Sequence, residues 1–337
     1  MKNYPNTIRE VRRLLAHSDQ LNEDHAHDGV DRRGFLKCMA WAGTGLLWTV
    51  SGGVLGSKIL SPARASGAEN SANAMRDFSF VQISDSHIGF NKPANVDVVG
   101  TLKQAIAKIN ALPVAPDFIL HTGDLSHLSE AAEFDTLDQL LKTAKAGQIF
   151  YVPGEHDVIS DNGKEYQARY GKGTRGNGWF SFDQRGVHFI GLVNVMNIAE
   201  GGLGILGDDQ LAWLKEDVSS LSASTPIVVF AHVPLWSIYP QWGWGTQDAE
   251  RALGFLKRFG SVTVLNGHIH QTLKKVEGTV TFHTATSTAF PQPAPGTAPK
   301  PGPMKVAPEI LPGVLGITEV NYIENSRSLA VVDAKLG

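Results

Sequence analysis

Five short clusters of aspartate, glutamate and histidine, each directly after an apolar run, constrain this chain's fold most strongly. They are Asp85-Ser86-His87, Gly123-Asp124, Gly154-Glu155-His156-Asp157, His232 and Gly267-His268-Ile269-His270. Carboxylates and imidazoles packed this densely are costly to bury unless a ligand or counter-charge pairs with them. We therefore expect the fold to bring the five clusters together around metal ions.

The apolar runs before the clusters are rich in β-formers, as is typical of buried strands. They cover residues 78–83, 117–122, 148–152, 226–230 and 261–265. Apolar residues at helical spacing separate the first three runs, which predicts strand–helix–strand units with parallel strands. Because such sheets carry their sites at the carboxyl ends of strands, the clusters are expected to meet at one edge.

Further elements are predicted from the same patterns. The helix after the first cluster is predicted to begin at an Asn95 N-cap. Residues 179–182 and 187–193 are predicted to pair as antiparallel strands. Residues 161–178, rich in glycine, lysine and arginine, and the proline-rich residues 291–303 are predicted loops.

The N-terminal segment resembles a twin-arginine export signal. The motif Asp31-Arg32-Arg33-Gly34-Phe35-Leu36-Lys37 precedes an uncharged apolar stretch at residues 38–56, the order that such signals share. Small-x-small cleavage patterns end at Ala65 and at Ala74. We therefore expect residues 1–65, or 1–74, to form the signal region, and residues 75–337 to form the functional domain.

This signal implies the twin-arginine export machinery as a partner and a periplasmic or otherwise exported protein. Two alternatives stay open for residues 38–56. One is an uncleaved anchor, because the stretch is about long enough to span a membrane; the other is a buried helix. Several glycines make the stretch only weakly hydrophobic, so no membrane span is expected in the mature protein.

The composition limits the classes of partner. A formal net charge of −3 among 337 residues gives no basic footprint, so no stable nucleic-acid partner is expected. A small anionic substrate is compatible, because metal ions supply positive charge locally. Since the one cysteine, Cys38, lies in the signal region, the mature protein is predicted to use neither disulfides nor thiol chemistry.

The clusters contain the ligand types of a dinuclear metal centre. Imidazole and carboxylate without thiolate suit iron, manganese or zinc, as divalent or trivalent ions. The candidate ligands are Asp85, His87, Asp124, Glu155, His232, His268 and His270. These are more side chains than one ion normally takes from a protein, whereas two ions that share one carboxylate account for the surplus.

In this order the clusters resemble the calcineurin-like metallophosphoesterases, whose pattern runs D-x-H, G-D, G-N-H-D/E, H and G-H-x-H. The likeness spans roughly residues 78–285. It implies an α/β fold, a four-layer α/β/β/α sandwich of two mixed β-sheets flanked by helices. It also implies a metal-dependent phosphoesterase that hydrolyses a phosphomonoester or a phosphodiester. Within the family, Gly123-Asp124-Leu125-Ser126 is similar to the cyclic-nucleotide phosphodiesterase branch.

Carried over by position, the resemblance implies two ligand groups that share one carboxylate. These are Asp85, His87 and His270 for the first ion, His232, His268 and Glu155 for the second, and Asp124 between them. It further implies that a hydroxide held between the ions attacks phosphorus, because two Lewis acids lower the pKa of bound water toward neutrality.

The resemblance also assigns the rest of the third cluster. His156 is expected to face the phosphate, and Asp157 to hold the other ring nitrogen of His156 and fix its tautomer. Glu155 departs from the family pattern, which has asparagine there. Its extra negative charge is expected to change metal preference. An alternative function follows from it, a metal-binding but catalytically silent module of the same fold.

Other polar and aromatic residues match no family ligand. Structural positions are expected for His121, His127, His188 and His283, although His121 and His127 flank Asp124 and are also compatible with contacts to the metal ligands. The tryptophan-rich residues 236–244 are equally compatible with the substrate mouth and with a cover over the core. A solvated loop is the expectation for Arg169, Lys172 and Arg175.

Overall fold

The computed structural model describes residues 46–51, 54–59, 77–199, 201–323 and 328–337. The strands, in chain order, are β1 (Leu46–Ser51), β2 (Val54–Ile59), β3 (Phe78–Ile83), β4 (Phe118–His121), β5 (Gln148–Tyr151), β6 (Phe180–Gln184), β7 (Val187–Gly191), β8 (Asn197–Ile198), β9 (Gly204–Ile205), β10 (Ile227–Phe230), β11 (Val262–Asn266), β12 (Lys274–Glu277), β13 (Val280–Thr284), β14 (Gly316–Ile323) and β15 (Ser328–Lys335). The helices are α1 (Val98–Asn110), α2 (Ala131–Leu141), α3 (Lys164–Tyr170), α4 (Asp208–Ser219), α5 (Ala249–Leu256) and α6 (Leu311–Val314).

Strands β1 and β2 pair as an antiparallel hairpin within a unit separate from the rest of the chain. The paired arginines and both cleavage patterns of the predicted export signal lie outside the described residues. Within the described part of the chain, no helix is both long and apolar enough to cross a membrane.

The larger unit contains two mixed β-sheets. One has the order β15-β14-β3-β4-β5, in which β3, β4 and β5 are parallel and β14 and β15 are antiparallel additions. The other has the order β12-β13-β11-β10-β7-β6, in which four parallel strands are flanked by antiparallel β12 and β6. The predicted antiparallel pairing of residues 179–182 with 187–193 is confirmed by β6 and β7.

Alternation along the strands produces four layers. In β3, Phe80 packs between the sheets, where its ring stacks on Phe118 with centroids 4.9 Å apart and meets the edge of Phe189. Val81 points to the opposite side, into a core shared with α1 and α2. A third core joins the outer face of β10 to α4 and α5. The predicted α/β/β/α sandwich is therefore confirmed.

The strand register brings the cluster loops together. Ile83, His121 and Tyr151 are aligned across β3, β4 and β5, and Phe230 is aligned with Leu265 across β10 and β11. Since these parallel strands end level with one another, the loops that follow them share one rim of the sandwich.

Two local predictions were wrong. The N-cap of α1 is Asp97, whose carboxylate accepts from the Gly100 N–H at 2.8 Å. Asn95 is buried, and its amide instead donates to the Ala289 carbonyl at 2.6 Å. Helix α3 lies inside residues 161–178, which were predicted as a loop. The side chain of Asp161 accepts from the first N–H groups of α3, and these bonds satisfy donors that have no partner within the helix.

Candidate metal centre

The loops after β3, β4 and β5 are joined by hydrogen bonds that align the first three clusters. The N–H groups of Asp85 and His87 donate to the carbonyls of Gly123 and Asp124, each at 2.9 Å. The N–H of His156 donates to the Asp124 carboxylate at 2.9 Å. Gly154 lies so close to Asp124 that any side chain there would collide with it. The glycine of the third cluster is therefore needed for this approach.

Five of the predicted ligands have left-handed backbone conformations, which are unusual outside glycine. They are Asp85 (φ 53°), His87 (φ 41°), Asp124 (φ 52°), His268 (φ 71°) and His270 (φ 55°). Each such residue costs about 1–3 kcal/mol and persists only where its surroundings fix it. The strain is concentrated in the residues that carry the ligand side chains, so the loops hold those side chains in one arrangement.

The first ligand group consists of Asp85, His87 and His270, all buried. The Nε2 atom of His270 lies 3.3 Å from the Asp85 carboxylate and 3.2 Å from Nε2 of His87. The Nδ1 atom of His270 donates to the Phe290 carbonyl at 2.6 Å. That bond leaves a lone pair on Nε2, the form in which a neutral histidine binds a metal.

The second group consists of Glu155, His232 and His268. Nδ1 of His232 donates to the Thr122 carbonyl at 2.7 Å, which directs the Nε2 lone pair at the Glu155 carboxylate, 3.0 Å away. Nδ1 of His268 lies 3.0 Å from the other oxygen of Glu155. Glu155 therefore reaches both histidines of its group.

Asp124 lies between the two groups. One of its carboxylate oxygens is 3.4 Å from Nε2 of His87 and 3.4 Å from Nε2 of His232. Its other oxygen accepts from the His156 N–H. A carboxylate in this position is able to bridge two ions.

These residues fit a pair of metal ions. Nε2 of His232, Nδ1 of His268 and Oε2 of Glu155 are buried and lack a hydrogen-bond partner among the described residues. Their mutual distances are close to hydrogen-bonding range, but their geometry is not that of hydrogen bonds. Buried polar atoms of this kind are normally satisfied. Imidazole nitrogens and carboxylate oxygens without thiolate are the ligands of zinc, iron or manganese.

The electrostatics of the centre favour charged carboxylates. Burial opposes ionisation of Asp85, but His270 and His232 outweigh it and lower the pKa of Asp85 to about 2. Burial likewise opposes the charge on Glu155, yet His268 and His232 hold the pKa of Glu155 well below its usual value. Asp85 and Glu155 are therefore ionised at neutral pH, as metal binding requires.

The predicted contact between Asp157 and His156 is absent. Nδ1 of His156 donates instead to the His127 carbonyl at 2.7 Å. The carboxylate of Asp157 is fully buried and accepts from the N–H groups of Leu125, Ser126 and Gly154 and from the Ser126 hydroxyl. Asp157 therefore joins the second cluster to the third, and the prediction that it orients His156 was wrong, because backbone donors occupy both of its oxygens.

His127 is a site residue, although the sequence favoured a structural position for it. Its ring stacks on His156 with centroids 4.8 Å apart at 17° and lines the same cavity. Its Nδ1 is buried without a hydrogen-bond partner in the described structure. The available signal was its position three residues after Asp124. Structural positions are confirmed for His121, bonded to Ser86, and for His283, bonded to Asp333.

A cavity of about 480 Å³ is lined by ligands from both groups, namely His87, Asp124, Glu155, His268 and His270. Trp242 and Trp244 line it as well, whereas Trp236 packs on Phe282 with centroids 5.0 Å apart. The tryptophan-rich segment therefore divides between the cavity and the core. Arg169 is paired with Glu165, Asp135 and Asp138, away from the cavity lining.

Comparisons with known proteins agree with this geometry. A probable cyclic nucleotide phosphodiesterase of Vesicomyosocius okutanii subsp. Calyptogena okutanii is 27% identical over 199 residues, which cover 58% of this chain and 79% of that protein. A serine/threonine-protein phosphatase of Danio rerio is 26% identical over 223 residues, which cover 58% of this chain and 70% of that protein.

The fold is similar to that of a solved dimetal phosphatase from Danio rerio. The two superpose with a TM-score of 0.54 at 14% identity, covering 77% of this chain and 96% of the other. The family model for calcineurin-like phosphoesterases matches residues 78–272, more than half of the chain, and includes all five clusters. The chain therefore belongs to the calcineurin-like phosphoesterase family.

Proposed function

We propose that this protein is an exported, metal-dependent phosphoesterase that hydrolyses a phosphomonoester or a phosphodiester. The observation that carries the proposal is the position of Asp124. Its carboxylate lies 3.4 Å from one histidine of each ligand group, so a single residue connects two sets of three ligands. Iron, manganese or zinc fits both sets.

Two metal ions in these groups supply a strongly nucleophilic water and Lewis-acid activation of the phosphoryl group. The protein supplies orientation and proton transfer. Because Nδ1 of His156 is bonded to the His127 carbonyl, Nε2 is the ring nitrogen that remains for the substrate. When the ring is protonated, the N–H at this atom donates to a phosphoryl oxygen or protonates the leaving oxygen.

His127 supports this arrangement from beside the ligand His87, with ring centroids 5.6 Å apart. Its carbonyl accepts the Nδ1 proton of His156, and its ring stacks on the His156 ring at 4.8 Å. The imidazole of His156 is therefore held in one orientation before substrate arrives, which reduces the cost of aligning it during the reaction.

Turnover of a simple aryl phosphate monoester and diester tests the activity. The full chain is assayed with Mn²⁺, Fe²⁺/Fe³⁺ or Zn²⁺, together with His156→Asn and, as a control, Glu309→Gln at an exposed position. We expect His156→Asn to lower kcat by roughly 100-fold or more while metal content is unchanged. Equal kcat in wild type and His156→Asn would contradict the role of His156.

A second candidate function is a metal-loaded but catalytically silent module, and Glu155 is the observation that favours it. Its carboxylate contacts both histidines of the second group and adds a negative charge beside the position of an anionic substrate. Two bound ions per chain without turnover of either ester, with any of the metals, would establish this second function.

The export part of the proposal is supported by Arg32-Arg33 and the apolar stretch that follows. Substituting both arginines with lysine is expected to retain the protein in the cytoplasm, because twin-arginine signals depend on the arginine pair. The chain provides a matched control in its other arginine pair, Arg12-Arg13, whose double lysine variant should still be exported. Fractionation of cells expressing each variant gives the result, and equal export of both variants would contradict the proposal.

A further inference from the structure

The cavity has both polar and apolar lining residues. The polar ones include ligands from both groups, together with His127 and His156. Among the apolar ones are Ile198, Trp242 and Trp244, which together with residues 301–303 are here called the aromatic wall. The described residues of this wall carry no charge, so it fits an uncharged part of a ligand.

Part of the aromatic wall is open to solvent, although Trp244 is buried. Ile198 is 44% exposed and Trp242 is half-buried, although both line a cavity. Large apolar side chains left open to solvent inside a cavity indicate a surface that a ligand covers. Trp236 is half-buried as well, but its ring packs on Phe282 and does not line the cavity.

The position of Trp242 is fixed by its neighbours. Its ring meets Trp244 at 87° and Tyr239 at 83°, with centroids 5.1 Å away in both pairs. The following residue, Gly243, lies against the backbone of Gly202, and a side chain at Gly243 would collide with it. This contact holds the Trp242 loop beside the loop that follows Ile198, so the ring is rigid before a ligand binds.

The proline-rich part of the wall is tied to the metal ligands by Gln292. The side-chain amide of Gln292 donates to the His268 carbonyl at 2.9 Å and accepts from the Gly302 N–H at 3.0 Å. The Met304 N–H also donates to the Pro291 carbonyl at 2.8 Å. Residues 301–303 therefore keep a fixed distance from the second ligand group.

We propose that the aromatic wall binds a neutral planar ring in the alcohol portion of the substrate. The substrates are then phosphoesters of aryl or nucleoside alcohols rather than of small aliphatic ones. This inference rests on the proposed function, because the ligand groups bind the phosphoryl end. Indole rings stack on planar rings of many kinds, and stacking on aromatic side chains contributes substantially to the binding of bases.

Phosphonates test the subsite by binding alone, since they are not hydrolysed. Phenylphosphonate and methylphosphonate are titrated calorimetrically into the metal-loaded full chain and into Trp242→Leu, which removes the ring and keeps apolar bulk. Trp236→Leu is the matched control outside the cavity. We expect wild type and Trp236→Leu to bind phenylphosphonate about tenfold more tightly than methylphosphonate. In Trp242→Leu the two affinities should be equal, with methylphosphonate affinity unchanged.

Adenosine 5′-monophosphate and ribose 5-phosphate distinguish the two sources of the ring in the His156→Asn background. Tighter binding of the nucleotide, lost in Trp242→Leu, assigns a nucleoside ring to the wall; preference for phenylphosphonate alone assigns a smaller aryl ring. Equal affinity of wild type for both phosphonates, or a preference that survives Trp242→Leu, overturns the subsite and leaves the proposed function intact. Binding of neither phosphonate nor inorganic phosphate overturns the proposed function together with the subsite.

Discussion

Two buried histidines, His188 and His232, each face two carboxylates, but only His188 forms hydrogen bonds with both of them. In β7, His188 bonds Asp183 through Nδ1 at 2.8 Å and Asp217 through Nε2 at 2.9 Å. At the rim of the sandwich, Nδ1 of His232 donates to the Thr122 carbonyl. Its Nε2 lies near Asp124 and Glu155 without hydrogen-bond geometry.

The pKa values of both histidines are raised for the same reason. Burial opposes the charge, and the adjacent carboxylates outweigh that opposition at His188 and at His232. Charge therefore does not distinguish the two sites, whereas hydrogen-bond geometry does. His188 has two carboxylate acceptors for two N–H groups, which stabilises a protonated ring. His232 has one carbonyl acceptor, and its Nε2 lies among carboxylates without hydrogen-bond geometry; in the neutral ring that atom offers a lone pair to a metal ion.

The largest effect is expected from Asp124→Asn, because Asp124 serves both ligand groups. Loss of even an outer partner of a metal ligand costs roughly 10- to 100-fold in affinity or activity, so we expect kcat to fall by more than about 100-fold. Metal content should fall below that of wild type. Steady-state kinetics measure kcat and elemental analysis measures metal content, with Asp209→Asn at an exposed position as the control. Full activity of Asp124→Asn would show that the Asp124 carboxylate is not shared by the two ligand groups.

Asp157→Asn should give the next largest effect. An amide nitrogen in place of one oxygen would face N–H donors of Leu125, Ser126 or Gly154. We expect the free energy of unfolding to fall by about 1–3 kcal/mol, measured by urea denaturation. The control is Asp135→Asn, whose carboxylate is 59% exposed beside Arg169. If Asp157→Asn lowered kcat without changing stability, a direct catalytic role would be indicated instead.

Glu155→Asn restores the family residue and should change metal preference. Removing one negative charge weakens the second group most for the most highly charged ion, so the ratio of bound Fe³⁺ to Zn²⁺ is expected to fall about tenfold or more. Competitive loading followed by elemental analysis measures this ratio. An unchanged ratio would mean that the Glu155 carboxylate does not ligate.

The smallest effect is expected at His188, and it depends on pH. Because the folded-state pKa of His188 lies above its usual value, its stabilisation is fully present below about pH 6.5 and is lost as pH rises through the folded pKa. The free energy of unfolding, measured by urea denaturation, should be about 1–2 kcal/mol higher in wild type than in His188→Gln at pH 6. The difference should be smaller at pH 9. A stability difference that grows with pH would contradict the ion pairs of His188. The control is Asp183→Asn, which should change stability less because the Asp183 carboxylate is 75% exposed.

The strands and the ligand clusters were predictable because their signals are local. A β-rich run followed by Asp85-x-His87 or Gly267-His268-x-His270 specifies both an element and the side chains at its end. The resemblance then supplied the layer order, which the two sheets confirm.

What the sequence interpretation missed depends on contacts between distant loops. The partners of Asp157 are backbone donors more than thirty residues earlier at Leu125 and Ser126, and backbone groups leave no pattern in a sequence. Asn95 and Asp97 are equally good caps by residue type, and the Ala289 carbonyl decides between them. The orientation of His127 depends on ring stacking with His156.

The central claim is that Asp124 joins two separate ligand groups, each of which holds one ion. Elemental analysis of the Mn²⁺-loaded full chain tests it most directly, with His270→Ala and His268→Ala each removing one ligand from one group. Circular dichroism shows whether each variant is folded. We predict two ions per chain in wild type and one in each variant. A single ion in wild type, or the same content in all three proteins, would contradict the account.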